Sequence, residues 1–295
     1  MSDALTFIDT NLGRFREELN EFLRIPSISA KSEYDDETSR SAEWLASRMR
    51  EAGLEVEVLA TVGHPIVLGE WRGAGANAPT VLVYGHYDVQ PPEPLELWTS
   101  PPFEPTEREG RIYARGSADD KGQLYMHVKA LEAHLATSGS LPVNVVVLAE
   151  GEEEVGSPNL VPFVDAHLER LACDVVVISD TGMFAEGLPS ILFSLRGLAY
   201  FEIHVHGARS DLHSGEFGGS VMNPGNALSQ IIASLHDDQG RIALPGFYDD
   251  VPELPAALRD YPLRPYLEGT VVQRLIARDR PEAAIIMIGT NDISG

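Results

Sequence analysis

Four short segments of this chain hold side chains able to do chemistry together. Gly85-His86-Tyr87-Asp88 offers an imidazole and a carboxylate two residues apart. Asp119-Asp120 is an adjacent acidic pair. Glu150-Gly151-Glu152-Glu153-Glu154 packs four acids into five positions, and Asp180 closes the apolar run that starts at Asp174. One imidazole among carboxylates is a nitrogen/oxygen ligand set, which suits zinc and tolerates manganese or cobalt. Singly, each segment has a plainer reading: a surface pair, a solvated acidic loop, a helix cap. Together, like charges this dense are costly unless cations neutralise them.

Other chemistries lack their settings. Cys173 has no base or oxyanion donor beside it, so a thiol nucleophile is not expected. Ser214 follows His213 but stands outside any GxSxG turn. No GxxxxGK[ST] occurs, so the glycines around Asp119 do not form a phosphate loop. Asp120 reads as the cap of the helix that follows it, and Glu150 and Glu152 as loop acids or supporting groups. His64, His127, His134, His167 and His236 read as surface or packing residues, and His204 and His206 as solvent-facing or edge residues.

Composition narrows the partners. The chain of 295 residues carries 45 Asp+Glu against 22 Lys+Arg, a net charge of −23. That balance argues against a nucleic-acid backbone or an anionic membrane. Of the acids, 32 fall in residues 1–195, the part that holds the four segments. A single cysteine rules out an intramolecular disulfide and fits a reducing compartment. No apolar run approaches a membrane span, and the N-terminus lacks a signal-peptide layout, so a cytoplasmic protein is expected.

The elements that must position these residues follow from apolar spacing. Leu5, Ile8, Leu12, Phe15, Leu19, Phe22 and Leu23 recur as on an amphipathic helix over 5–23. A second helix is expected over 36–52 with Gly53 as its stop, and others over 122–137 and 158–170. Short apolar runs at 54–59, 66–71, 80–84, 143–149 and 174–179 read as strands, the last two continuously apolar as in sheets covered on both faces. Strands alternating with helices predict an α/β fold, and each strand end meets one of the chemical segments, where such sheets place their ligands. From Gly197 the pattern alternates, with Phe201, Ile203 and Val205 opposite Glu202, His204 and His206, which predicts a half-exposed strand. Asn223-Pro224 starts a helix running to about His236. A boundary is therefore expected near 196, giving domains 1–196 and 197–295.

The ordered motifs VYGHYDVQP, IYARGSADDKG, EGEEEVGS, ISD and DLHSGEFGGSVMNP resemble the di-zinc metallopeptidases that include carnosinase, carboxypeptidase G, aminoacylase and succinyl-diaminopimelate desuccinylase. The dipeptidase branch is the nearest. The resemblance covers about residues 5–250. It implies a mixed, mostly parallel sheet with helices on both faces, plus a smaller α+β ferredoxin-like lid and dimerisation domain. It implies hydrolysis of the amide bond of dipeptides or N-acyl amino acids by a metal-bound water, in a homodimer. It implies two divalent cations, with Asp119 bridging, His86 and Asp180 completing one site, and Glu154 on the other. Glu153 would be the general base, Asp88 would orient His86, and His213 would stabilise the oxyanion. The acid beside a ligand is free to move a proton, and a carboxylate behind a metal-binding His is a common support. The family's last His ligand, supplied by a returning segment, has no counterpart through Gly295. The resemblance therefore also implies a C-terminally truncated chain whose Glu154 site lacks a ligand. The alternative expectation is a catalytically impaired metal-binding or interaction protein.

Overall fold

Phe15, Phe22 and Leu23 are buried on one side of the first helix, α1 (Ser2–Leu23). Leu5 and Leu12, expected on the same stripe, instead face solvent; the buried stripe runs through Ala4, Phe15, Glu18 and Phe22 at helical spacing. The computed structural model describes residues 2–182, which form one compact unit, and residues 200–251, which belong to a second. The expected boundary near 196 lies outside the described residues.

In the first unit, α2 (Asp35–Glu51) is followed by β1 (Glu55–Leu59), β2 (Ile66–Trp71) and β3 (Thr80–His86). A small hairpin, β4 (Thr106–Arg108) and β5 (Arg111–Tyr113), precedes α3 (Lys121–Ser138). Then come β6 (Asn144–Glu150), α4 (Leu160–Ala166), α5 (Leu168–Leu171) and β7 (Val175–Ile178). The main sheet runs β1-β2-β6-β3-β7. β3 is parallel to both its neighbours, while β1 and β2 join antiparallel. This is the α/β fold expected.

Alternation along β6 explains the two covered faces. Val145, Val147 and Ala149 join α1, α2 and α3 in one apolar cluster, where Phe22 stacks on Trp44 at 4.5 Å. Val146 and Leu148 point the other way, against Phe163 of α4 and Leu171 of α5. Period-two side chains buried on both sides make such a strand read as continuously apolar.

Two local expectations differ. The helix expected over 158–170 breaks at His167, whose backbone (φ −126°, ψ 21°) leaves the helical region. Its Nδ1 lies 2.8 Å from the Phe163 carbonyl oxygen, which occupies that last-turn acceptor. The alternating segment 200–206 forms no strand: among the described residues it finds no neighbour to pair with, and Tyr200 and Phe201 are exposed. A strand without a partner leaves its N–H and C=O groups to water. In this second unit α6 (Ser214–Phe217) and α7 (Pro224–Ser234) are formed. α7 starts as expected, with Asn223 Oδ1 accepting from the N–H of Gly225 at 2.8 Å.

Candidate metal centre

His86 ends β3, paired with Glu150 of β6, and its side chain has no solvent exposure. Its backbone N–H donates to Asp120 Oδ2 at 3.1 Å. Asp120 stands at the N-cap of α3 as expected, but its carboxylate makes no cap hydrogen bond. Serving the His86 N–H is its role instead. Gly85 leaves room for this contact: a Cβ there would stand 2.6 Å from Asp120 Oδ2.

The imidazole is gripped from both ends. Nδ1 lies 3.1 Å from the Asp88 carbonyl oxygen and 3.3 Å from Asp88 Oδ1. Nε2 lies 3.0 Å from Asp119 Oδ1, 3.6 Å from Asp180 Oδ2 and 4.0 Å from Glu153 Oε2. Burial alone would make His86 less basic; hydrogen bonds to Asp119, Asp180 and Asp88 outweigh it and raise its pKa. His86, Asp119 and Asp180 present ligand atoms all within 4.8 Å of one another. So do His86, Glu153 and Glu154. The residues expected as one metal site therefore converge, and Glu153, expected as the free base, lies in the same cluster as Glu154.

Asp88 does more than face His86. It is fully buried, and its carboxylate accepts the Ser29 hydroxyl at 2.6 Å. It also accepts the N–H of Glu153 at 3.3 Å and of Glu154 at 3.1 Å. One carboxylate thus ties the imidazole to the acidic loop. Gln90 Nε2 donates to Glu154 Oε2 at 2.6 Å. Glu150, expected as a loop acid or supporting group, is buried and accepts from the hydroxyls of Tyr84 (2.5 Å) and Ser157 (2.8 Å). Glu152 accepts from Asn159 Nδ2 at 2.7 Å.

The charge balance of this cluster fits a divalent cation. Burial raises the Glu150 and Glu153 carboxyls, and pushes those of Asp120 and Glu154 up to about 7. Asp120 Oδ1 is buried and finds no hydrogen-bond partner among the described residues. Lys121, fully buried beside them in sequence, spends its ammonium on the carbonyls of Phe22 (3.1 Å) and Ile25 (2.7 Å). A cation set among these oxygens would relieve the cost of holding several acids ionised.

His213 lies in the second unit, exposed, with Nδ1 accepting from the N–H of Gly215 at 3.0 Å. Gln90 and Ser157 fall inside the motifs VYGHYDVQP and EGEEEVGS but carry no role in the sequence reading, and Ser29 has no signal in the sequence, being an ordinary polar residue that only folding brings to Asp88. His127, read as a surface or packing residue, contacts Ser179 at 2.5 Å next to Asp180. An apolar cavity of about 500 Å³ lined by Leu82, Leu148, Val164, Leu171 and Cys173 carries none of the chemical groups.

Residues 82–261 match the family model described as peptidase family M20/M25/M40. The chain belongs to this metallopeptidase family. It is 36% identical over 260 residues to the Cys-Gly metallodipeptidase dug1 of Schizosaccharomyces pombe, covering 84% of this chain and 54% of that one. It is 38% identical over 189 residues to human Beta-Ala-His dipeptidase, covering 63% of this chain and 37% of the other. The solved structure of the M20 family metallo-carboxypeptidase Sso-CP2 from Sulfolobus solfataricus matches with a TM-score of 0.67 at 35% identity, over 89% of this chain and 58% of that one. The chain spans about half the length of these full relatives. Among the described residues no helix is long and apolar enough to cross a membrane.

Proposed function

We propose that this chain carries the metal-binding part of a cytoplasmic dipeptidase that works as a homodimer. One observation supports the reading above the rest: His86, Asp119 and Asp180 meet at one point in a chain whose relatives are named as dipeptidases. His86, Asp119 and Asp180 would hold one divalent cation and Glu154, with Asp119, a second; zinc suits this donor set, with manganese or cobalt as substitutes. When bound, such a pair supplies Lewis acidity and an acidified water. The rest of the chemistry falls to the chain's own side chains. Glu153, raised by burial and partly exposed, takes the proton of the attacking water and passes it to the leaving amine. Asp88 holds both the imidazole and the N–H groups of the Glu153–Glu154 loop, so it fixes base and ligand together. His213, in the α+β lid and dimerisation domain, would donate to the oxyanion. Small dipeptides such as Cys-Gly or β-Ala-His, or N-acyl amino acids, are the proposed substrates.

The test is hydrolysis of Cys-Gly and β-Ala-His by the purified chain, together with Glu153→Gln. The expected result is turnover by the parent and at least a hundredfold loss in the variant, on the order of a lost general base, with bound metal unchanged. Normal turnover by Glu153→Gln would overturn the assignment of the base. At most one bound metal and no turnover by the parent would favour the second reading, a metal-binding chain without activity of its own.

A further inference from the structure

We propose that His127 is a positioning residue for Asp180, acting through Ser179. The proposal rests on the reading of His86, Asp119 and Asp180 as metal ligands. Asp180 has the weakest mooring of the three. His86 sits inside the sheet with its N–H bonded to Asp120, and Asp119 immediately precedes Asp120, the N-cap of α3. Asp180 lies two residues past the last paired residue of β7, where Ile178 meets Tyr84. β7 has four residues and, among the described residues, pairs with β3 alone; Val175, Val176 and Ile178 are each more than half exposed. A ladder of four pairs gives the residues just past its end little hold.

His127 supplies a tether there. It lies on α3, half-buried, with Nε2 2.5 Å from Ser179 Oγ. Burial lowers its pKa, which favours the neutral ring that can either donate to or accept from a hydroxyl. The same helix that Asp119 and Asp120 lead into therefore also reaches across to the residue before Asp180. α3 braces two of the three expected ligands, one at its N-terminus and one through a side chain two turns along. Such supports typically change metal affinity by about 10- to 100-fold when removed.

The test uses the full chain and Co²⁺ as probe, followed by its visible absorption. His127→Leu fills the space without a ring nitrogen, Ser179→Ala removes a single oxygen, and His127→Gln keeps a polar end. The expected result is about tenfold weaker Co²⁺ binding and an altered spectrum in His127→Leu and Ser179→Ala. The double variant should be no weaker than either single, because both remove one contact. His127→Gln should recover part of the affinity. Wild-type affinity and spectrum in Ser179→Ala, or additive losses in the double variant, would overturn the proposal while His86→Ala still loses Co²⁺. Retention of Co²⁺ by His86→Ala would overturn the metal-ligand reading itself, and this proposal with it.

Discussion

Glu18 offers a stability prediction that can be worked through in numbers. Its buried carboxylate sits on α1 and accepts from Arg14 at 2.7 Å, from Lys129 Nζ at 2.6 Å and from the Tyr125 hydroxyl at 2.6 Å. Lys129 and Tyr125 belong to α3, so this one group ties the first helix to the helix that leads out of Asp119 and Asp120. Burial alone would raise the Glu18 carboxyl; the three donors outweigh it and bring it from 4.5 down to about 2. A carboxyl that is more acidic in the folded state stabilises the fold above its unfolded pKa. It loses that contribution as pH falls toward the folded value. At 1.36 kcal/mol per pKa unit the full contribution at pH 7 is about 3 kcal/mol. By pH 3.5 the unfolded chain has mostly taken up its proton while the folded chain has not, and about 2 kcal/mol remains. Glu18→Gln should therefore be about 3 kcal/mol less stable than the parent at pH 7, and the gap should narrow by about 1 kcal/mol at pH 3.5. Urea unfolding followed by tryptophan fluorescence reads this directly, since Trp44, Trp71 and Trp98 all lie in the first unit. Acids away from this cluster are common to both proteins and cancel in the comparison. An equal gap at the two pH values would refute the reasoning.

Two further substitutions probe the site's framework. Gly85→Ala would drive a Cβ to 2.6 Å from Asp120 Oδ2 and 3.0 Å from Leu124 Cδ1; a loss of about 1–3 kcal/mol in urea unfolding is expected, with weaker metal binding. Asp88→Ala would leave the Glu153 and Glu154 N–H groups without their shared acceptor, and His86 Nδ1 with only the residue-88 carbonyl oxygen; calorimetric titration with zinc should show affinity reduced about 10-fold or more.

Much of this architecture was legible in the residues. β2 spans 66–71 as expected, and α3 differs from its expected range of 122–137 by one residue at each end. That His86, Asp119 and Asp180 stand at element ends was legible from the pattern, while their grouping as one site was implied by the family resemblance. What the pattern could not carry was the direction of individual side chains. Asp120 looks like a cap in sequence, yet its carboxylate turns to the His86 N–H across 34 residues of chain. Ser29 stands 59 residues from Asp88, and His127 lies 52 from Ser179. Such contacts depend on how the sheet and helices pack, and no local spacing encodes them.

The central claim is that His86 is a ligand in a site for divalent metal. Equilibrium dialysis against zinc, followed by elemental analysis, tests it in the parent chain and in His86→Ala. At least one zinc per parent chain, lost in His86→Ala while the variant keeps its helical circular dichroism, is the result expected. Equal zinc content in the two proteins, or no zinc in the parent, would contradict it.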